Sequence, residues 1–423
     1  MQIYQMIDVW WIAQLPQSET AVAGVTVFNN IMWFFAAINA MVGSGSVAVI
    51  SRRYGEKNYF GAETSIKETF LLKFLSGLVF TLVAGFYLRD MMYLAGARGE
   101  ALELGRSFGI IITIGMPFAF MAFTVWTALR GVANPHAAMF IMIGSAVWNL
   151  VLDPILMFGY FGLPAMGIQG AAVATVSAYV MVNIVGFALL GSGRTNVRVH
   201  WLSWRGVSGT SMWRMMSIGA PAWIGQASSS GARLALFPLL AAYGDKVIAA
   251  YGIGFQAASM ASAIIAGIGL GVGALLGHTL GAGKRDRARK TGQRALEISI
   301  IIMTALGIIT FFVAPWYAEL YFDDPETLAR TTEILRVFAV AFPFWGVWVM
   351  LENIFGGVGM NGPGMVANVL HGWVALFPLV YMLTQVFQAG PVALWMAMAG
   401  IAAVISFGFW LYYRRGVWLD VRV

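Results

Sequence analysis

Asn149 and Asp153 stand four residues apart in the stretch Trp148-Asn149-Leu150-Val151-Leu152-Asp153-Pro154, inside a long apolar run near residues 137–158. That spacing puts both side chains on one face of a helix. A further carboxylate, Asp8, lies in the first apolar segment. An ionisable side chain inside a membrane is expensive and is a functional-site candidate by default. Two acids held out of water in this way can bind and release a cation. The competing structural account has Asp153 brace the helix beside Pro154, whose ring frees backbone carbonyls that a polar neighbour can satisfy.

Other chemistries find little support. The chain has no Cys, which excludes disulfides, thiolate metal sites and cysteine nucleophiles. Its four His, at 136, 200, 278 and 371, lack metal-ligand spacing. No His-plus-acid motif or Ser nucleophile signature suggests an enzyme. The run Gly267-Ile268-Gly269-Leu270-Gly271-Val272-Gly273 imitates a dinucleotide fingerprint but has no strand before it. Close helix packing through small residues explains it better. Gly277…Gly283-Lys284 misses the phosphate-loop spacing by one residue, and Arg285 replaces the Ser/Thr. With no nucleotide site and no cofactor, an ion gradient is the remaining energy source.

The elements that carry these residues are membrane spans. Of 423 residues, 59% are hydrophobic and 11% charged, against roughly 25% charged in soluble proteins. Twelve segments are long and apolar: 1–15, 21–50, 62–87, 105–131, 137–158, 168–191, 213–242, 246–280, 288–316, 328–357, 364–386 and 391–413. The first is short, since fifteen residues rise only about 22 Å against a hydrocarbon core of about 30 Å. With a cytoplasmic N-terminus, nineteen of the 26 Lys+Arg fall inside, and six (Arg89, Arg98, Arg106, Lys246, Arg330, Arg336) fall outside. Ten acids, including Asp323, Asp324 and Glu326, also lie outside. The net charge of +7 is therefore a positive-inside topology signal rather than a nucleic-acid footprint. It places both termini in the cytoplasm, with no cleavable signal peptide at Met1-Gln2-Ile3-Tyr4-Gln5.

The halves repeat at an offset of 226 residues. Gly43-Ser44-Gly45 aligns with Gly269-Leu270-Gly271, Gly55 with Gly281, Pro117 with Pro343, and Gly131-Val132 with Gly357-Val358. Six segments per half is an even number, so the expected fold is an all-α membrane protein of two six-helix bundles related by a pseudo-two-fold axis along the membrane normal. The expected divisions are a bundle at 1–191, a cytoplasmic linker at 192–212, a bundle at 213–413 and a cytoplasmic tail at 414–423. Asp8 aligns with Leu234, which has about twenty residues of its helix before it. The expectation is that the first helix lacks its start, on the order of 10–25 residues, the alternative being a genuinely short helix.

In this frame the chain resembles the multidrug and toxic compound extrusion (MATE) transporters. The marks are Tyr4-Gln5-Met6-Ile7-Asp8, Tyr54-Gly55, Leu280-Gly281-Ala282 and Arg130-Gly131. More specific are Asn149-Leu150-Val151-Leu152-Asp153 and Gly167-Ile168-Gln169-Gly170-Ala171-Ala172-Val173-Ala174-Thr175. The resemblance implies two bundles that alternate between membrane faces and export organic cations against H⁺ or Na⁺. It looks closest to the DinF-type branch, whose coupling acids lie in the first lobe. Asp8, Asn149 and Asp153 match that site, and Thr175 would supply its hydroxyl. Either a proton or Na⁺ on these oxygens would serve as coupling ion. The other bacterial branch carries acids where this chain has Ser229 and Trp345.

The expected partners are small organic cations or drugs and membrane lipid, with the chain a monomer in the inner membrane. Trp33, Trp126, Arg233, Gln256 and Trp345 are the candidate lining of a substrate cavity, where aromatic faces would hold flat cations. Arg233 and Glu352 could form an ion pair in the second lobe or contact a substrate carboxylate; the structural alternative, preferred for Glu352 because the two lie at different depths, has Arg233 face the aqueous cleft and Glu352 snorkel to the inner surface. A flippase for lipid-linked sugars is the alternative function. It would need a wider, more basic cavity.

Overall fold

The computed structural model describes residues 8, 10–12, 14–15 and 18–421. Residues 8 and 10–12 are helical (α1), and the rest of the expected 1–15 segment lies largely outside the described residues. Then come α2 (Ser18–Gly55), α3 (Tyr59–Leu94), α4 (Gly99–Gly131), α5 (Pro135–Phe158) and α6 (Ile168–Gly191). The second half holds α7 (Gly209–Ala241), α8 (Asp245–Gly281), α9 (Arg285–Glu319), α10 (Pro325–Gly357), α11 (Gly362–Val386) and α12 (Pro391–Arg414). Among the described residues, 9 helices are long and apolar enough to cross a membrane. This is a multi-pass membrane protein with an all-helical fold.

The helices outrun the apolar segments because polar end residues extend them into the interfacial region. Asn58 caps α3 by accepting from the Gly61 N–H at 2.8 Å. Asn134 caps α5, with Pro135 at the first turn, where a missing N–H costs nothing. The halves keep the same register: α4 runs from 99 to 131 and α10 from 325 to 357, with Pro117 and Pro343 inside them.

Contacts divide the chain into two units, Met1–Met216 and Ser217–Val423. In the first, α4 is central and packs against α2, α3 and α6. Its most apolar window is 67% buried, against 22% for α5, whose outer face of Phe140, Ile143 and Val147 is left for lipid. In the second unit α10 has the central place, packing against α8, α9 and α12. There the glycine run of α8 works as a packing stripe. A Cβ on Gly273 would stand 2.8 Å from the Asn353 carbonyl oxygen and 3.1 Å from the Gly357 Cα. Gly267 and Gly271, on the other face, meet nothing within 4 Å.

The connection after α6 is folded onto the first unit. Val197 and Val199 are buried in its core, and Trp201 packs edge-on to Phe70 and Phe187. Glu63 accepts from the His200 N–H at 2.8 Å and pairs with Lys67 at 2.6 Å. Glu68 accepts from Ser211 Oγ at 2.6 Å. In the second unit, α11 widens to π-helical register at Leu370–Leu376 and Met382–Val386, a feature frequent where a helix carries function.

Candidate functional site

The buried face of α5 reads Ala138, Ile141, Ser145, Asn149, Asp153, Met157, a stripe at spacings of three and four. Asn149 and Asp153 are both 0% exposed. Pro154 follows at a point where the ring removes one backbone donor. On α6, Gly170 lets the helix approach α5: a Cβ there would lie 2.7 Å from the Leu156 carbonyl carbon and the Met157 nitrogen. Five residues on, Thr175 is buried against α5. In α1, Asp8 and Ile12 are one turn apart and both buried. Trp11 packs on Phe158 of α5 with ring centroids 6.0 Å apart.

Three helices thus bring together the four expected cation-site residues. Asn149 Nδ2 donates to Asp153 Oδ1 at 3.0 Å, and it also approaches Thr175 Oγ1 at 3.3 Å and Asp8 Oδ1 at 3.4 Å. Thr175 Oγ1 donates to Asp8 Oδ2 at 3.0 Å. The amide has two hydrogens for these three acceptors, so the arrangement is short of donors. Asn149 Oδ1 and Asp153 Oδ2 are buried with no hydrogen-bond partner among the described residues. The two carboxyl groups are close enough for the charge of one to act on the other. Two negative charges in one dry cluster demand a compensating positive charge, a proton or a small hard cation. The oxygen set, two carboxylates with an amide and a hydroxyl, suits a hard cation rather than a soft, thiolate-seeking metal. No cluster of three or more His, Cys, Asp or Glu is placed to hold a metal among the described residues.

The expected substrate residues divide differently. Arg233 and Trp345 line a cavity of about 340 Å³ within the second unit. The Arg233 guanidinium lies 4.7 Å from the centre of the Phe255 ring and donates to Ser230 Oγ at 3.3 Å. Tyr251, Phe255, Ser259 and Ser262 form the α8 face of this cavity. Gln256 does not line it. It lies about 100° round the helix from Phe255 and is exposed, while Gln226 of α7 reaches the cavity instead. Trp126 belongs to the core of the first unit and is 6% exposed. The Trp33 side chain lies outside the described residues.

Glu352 also departs from expectation. It does not snorkel to a surface but lines the same cavity as Arg233. Its Oε1 accepts from Asn368 Nδ2 at 2.5 Å, and Asn368 Oδ1 accepts from Ser229 Oγ at 2.6 Å. A local amide partner on α11 makes the interior position tolerable without a cation. Trp348, one of the intrahelical tryptophans that stacking could use, also lines the cavity and meets His371 edge-on at 5.0 Å; absent from the sequence-based set were Asn368 and His371. The signal available for the last two was a pair of polar residues three apart in an apolar segment.

The family profile named MatE matches residues 1–155 and 221–382. The probable multidrug resistance protein YoeA of Bacillus subtilis is 24% identical over 405 residues, 95% of this chain and 87% of that protein. The multidrug export protein MepA of Staphylococcus saprophyticus is 23% identical over 393 residues, 91% of this chain and 84% of its own length. A crystal structure of MATE in the bent conformation superposes with a TM-score of 0.89 at 21% identity, covering 99% of this chain and 92% of that one. Profile, relatives and fold agree over both units, and the chain belongs to the MatE family of transporters.

Proposed function

We propose that the chain is a secondary multidrug exporter that drives organic, mostly cationic compounds outward against H⁺ or Na⁺. The observation that carries this reading is the buried cluster of Asp8, Asn149, Asp153 and Thr175, with two oxygens that find no hydrogen-bond partner among the described residues. Cation entry would neutralise the carboxylates and satisfy Asn149 Oδ1 and Asp153 Oδ2. Release would leave two uncompensated charges. Such differential occupancy is what can bias a two-state transporter, and here it would drive alternating access. A half-turn of the Asn149 amide exchanges a donor for an acceptor, which would let the same side chain serve the empty and the loaded cluster.

The position of the acids supports the DinF-like branch, since Ser229 and Trp345 stand where the other bacterial branch has carboxylates. In this reading the cavity of the second unit, with Trp345 and Arg233, contacts substrate. The charge bias of the connections supports insertion in the inner membrane with both termini cytoplasmic. Relatives named for multidrug resistance and export do not favour the lipid-linked-sugar flippase. Transport of ethidium or norfloxacin in inside-out vesicles, under an imposed pH or Na⁺ gradient, tests the proposal. Gradient-driven uptake lost in Asp153→Asn is the expected result. Equal uptake by a well-inserted Asp153→Asn protein would overturn it.

A further inference from the structure

A second polar cluster in the first unit has the opposite sign. Lys73 lies in α3, fifteenth in a helix of 36 residues, and is 2% exposed. Its Nζ comes within 3.6 Å of where a Cβ would stand on Gly43 of α2, and 6.0 Å from the Phe123 ring centre on α4. Among the described residues, the ion pairs of the first unit join Arg52–Glu56, Arg53–Glu68, Lys67–Glu63, Arg89–Glu103, Arg106–Glu103 and His200–Glu63, and leave Lys73 out. Among the described residues, no hydrogen bond satisfies it either. The charge that acts on it is another cation, Arg130.

The surrounding helices present further unmet polar atoms. Phe123, Trp126 and Arg130 recur at three and four residues, so they share one face of α4. The Phe123 and Trp126 rings are 4.9 Å apart. Trp126 Nε1 and Arg130 Nε are both buried without a hydrogen-bond partner among the described residues. So is Asn39 Oδ1, on a side chain 6% exposed and one turn before Gly43. A buried indole N–H and a buried guanidinium N–H without an acceptor, beside a buried lysine that no ion pair holds, carry a cost that native interiors rarely leave uncompensated. Asn39 adds an amide whose N–H₂ can donate once its orientation is set by the ligand.

We propose that Lys73, Trp126, Arg130 and Asn39 form a binding site for a small anion, inorganic or carboxylate, within the first unit. Lys73 supplies the charge, and the indole and guanidinium N–H groups supply direction. Gly43 leaves the ammonium room beside the α2 backbone. The site is separate in residues and in sign from the acid cluster, and it stands whether or not the coupling proposal holds.

The test is thermal unfolding of the purified full chain at constant ionic strength, with chloride, acetate or phosphate replacing a bulky organic anion. Wild type is expected to show a saturable rise in melting midpoint with at least one of the three. Chloride alone would identify an inorganic ion, and acetate alone the carboxylate end of an organic ligand. Lys73→Arg should keep the response and Lys73→Met should abolish it. Trp126→Phe should weaken the apparent affinity about tenfold, the worth of one hydrogen bond to a charged group. A wild type flat to all three anions, or a Lys73→Met protein that follows wild type, would overturn the proposal. If Lys73→Met fails to fold, an unchanged affinity in Trp126→Phe overturns it equally.

Discussion

Asn149 occupies the central place in the acid cluster, since its amide reaches both carboxyl groups and the threonine hydroxyl. Replacing it with Leu keeps the volume and removes every polar contact, so Asn149→Leu should abolish ion-coupled efflux while the protein still inserts. Thr175 is a finer probe. Thr175→Ala should weaken the coupling ion by about tenfold, one hydrogen-bonding oxygen, and Thr175→Ser should restore it. Ion dependence of transport in proteoliposomes measures both, and an ion response in Thr175→Ala equal to wild type would remove the hydroxyl from the site. Asn149 and Asp153 were legible in the sequence because four-residue spacing in an apolar run has one geometric meaning. Asp8 was legible from its surroundings alone, and Thr175 only through the family resemblance. Glu352 was misplaced because its depth depends on Asn368, a partner on another helix that periodicity does not reveal.

At the level of elements, the cluster depends on the close approach of α5 and α6. Gly170→Val would drive a side chain into the α5 backbone at Leu156 and Met157. Overpacking of this kind costs about 1–3 kcal/mol, so the melting midpoint should fall and coupling should fail with it. An unchanged midpoint would mean that α5 can move aside. The start of α10 offers a separate check outside the apolar spans. Hydrogen bonds from the Thr327 hydroxyl and N–H, and then the Lys246 ammonium, hold the Asp324 carboxyl down to about 2. A carboxylate depressed below its unfolded value of about 3.9 stabilises above that pH and loses the contribution as pH falls toward 2. The protection of the Thr327 amide, its exchange relative to an unfolded chain at the same pH, should therefore fall most in Asp324→Ala, and fall less both on acidification from about 4 toward 2 and in Asp324→Asn, which keeps a capping oxygen without the charge. Helix positions were legible from hydropathy, whereas their ends were not. The polar turns of α3 and α10 continue past the apolar run, because the caps at Asn58 and Asp324 rather than hydrophobicity stop them.

For the molecule as a whole, the repeat read from glycines and prolines corresponds to matching central helices, α4 and α10, each inside its own unit. The two units have diverged in chemistry. One carries the acid cluster, and the other a cavity with Arg233, Glu352 and aromatic rings. This division predicts that Trp345→Ala changes the order of substrate preference, measured as relative efflux of several dyes, without changing the ion that drives it. Loss of ion coupling with an unaltered preference would contradict the division. The central claim is that the Asp8–Asp153 cluster carries the coupling cation. Its most direct measurement is substrate-induced ion movement in proteoliposomes, read with a pH dye and with ²²Na⁺, for wild type and Asp153→Asn. The account predicts that adding substrate moves one of the two ions in wild type and neither in the variant. Equal ion movement by both proteins would contradict it.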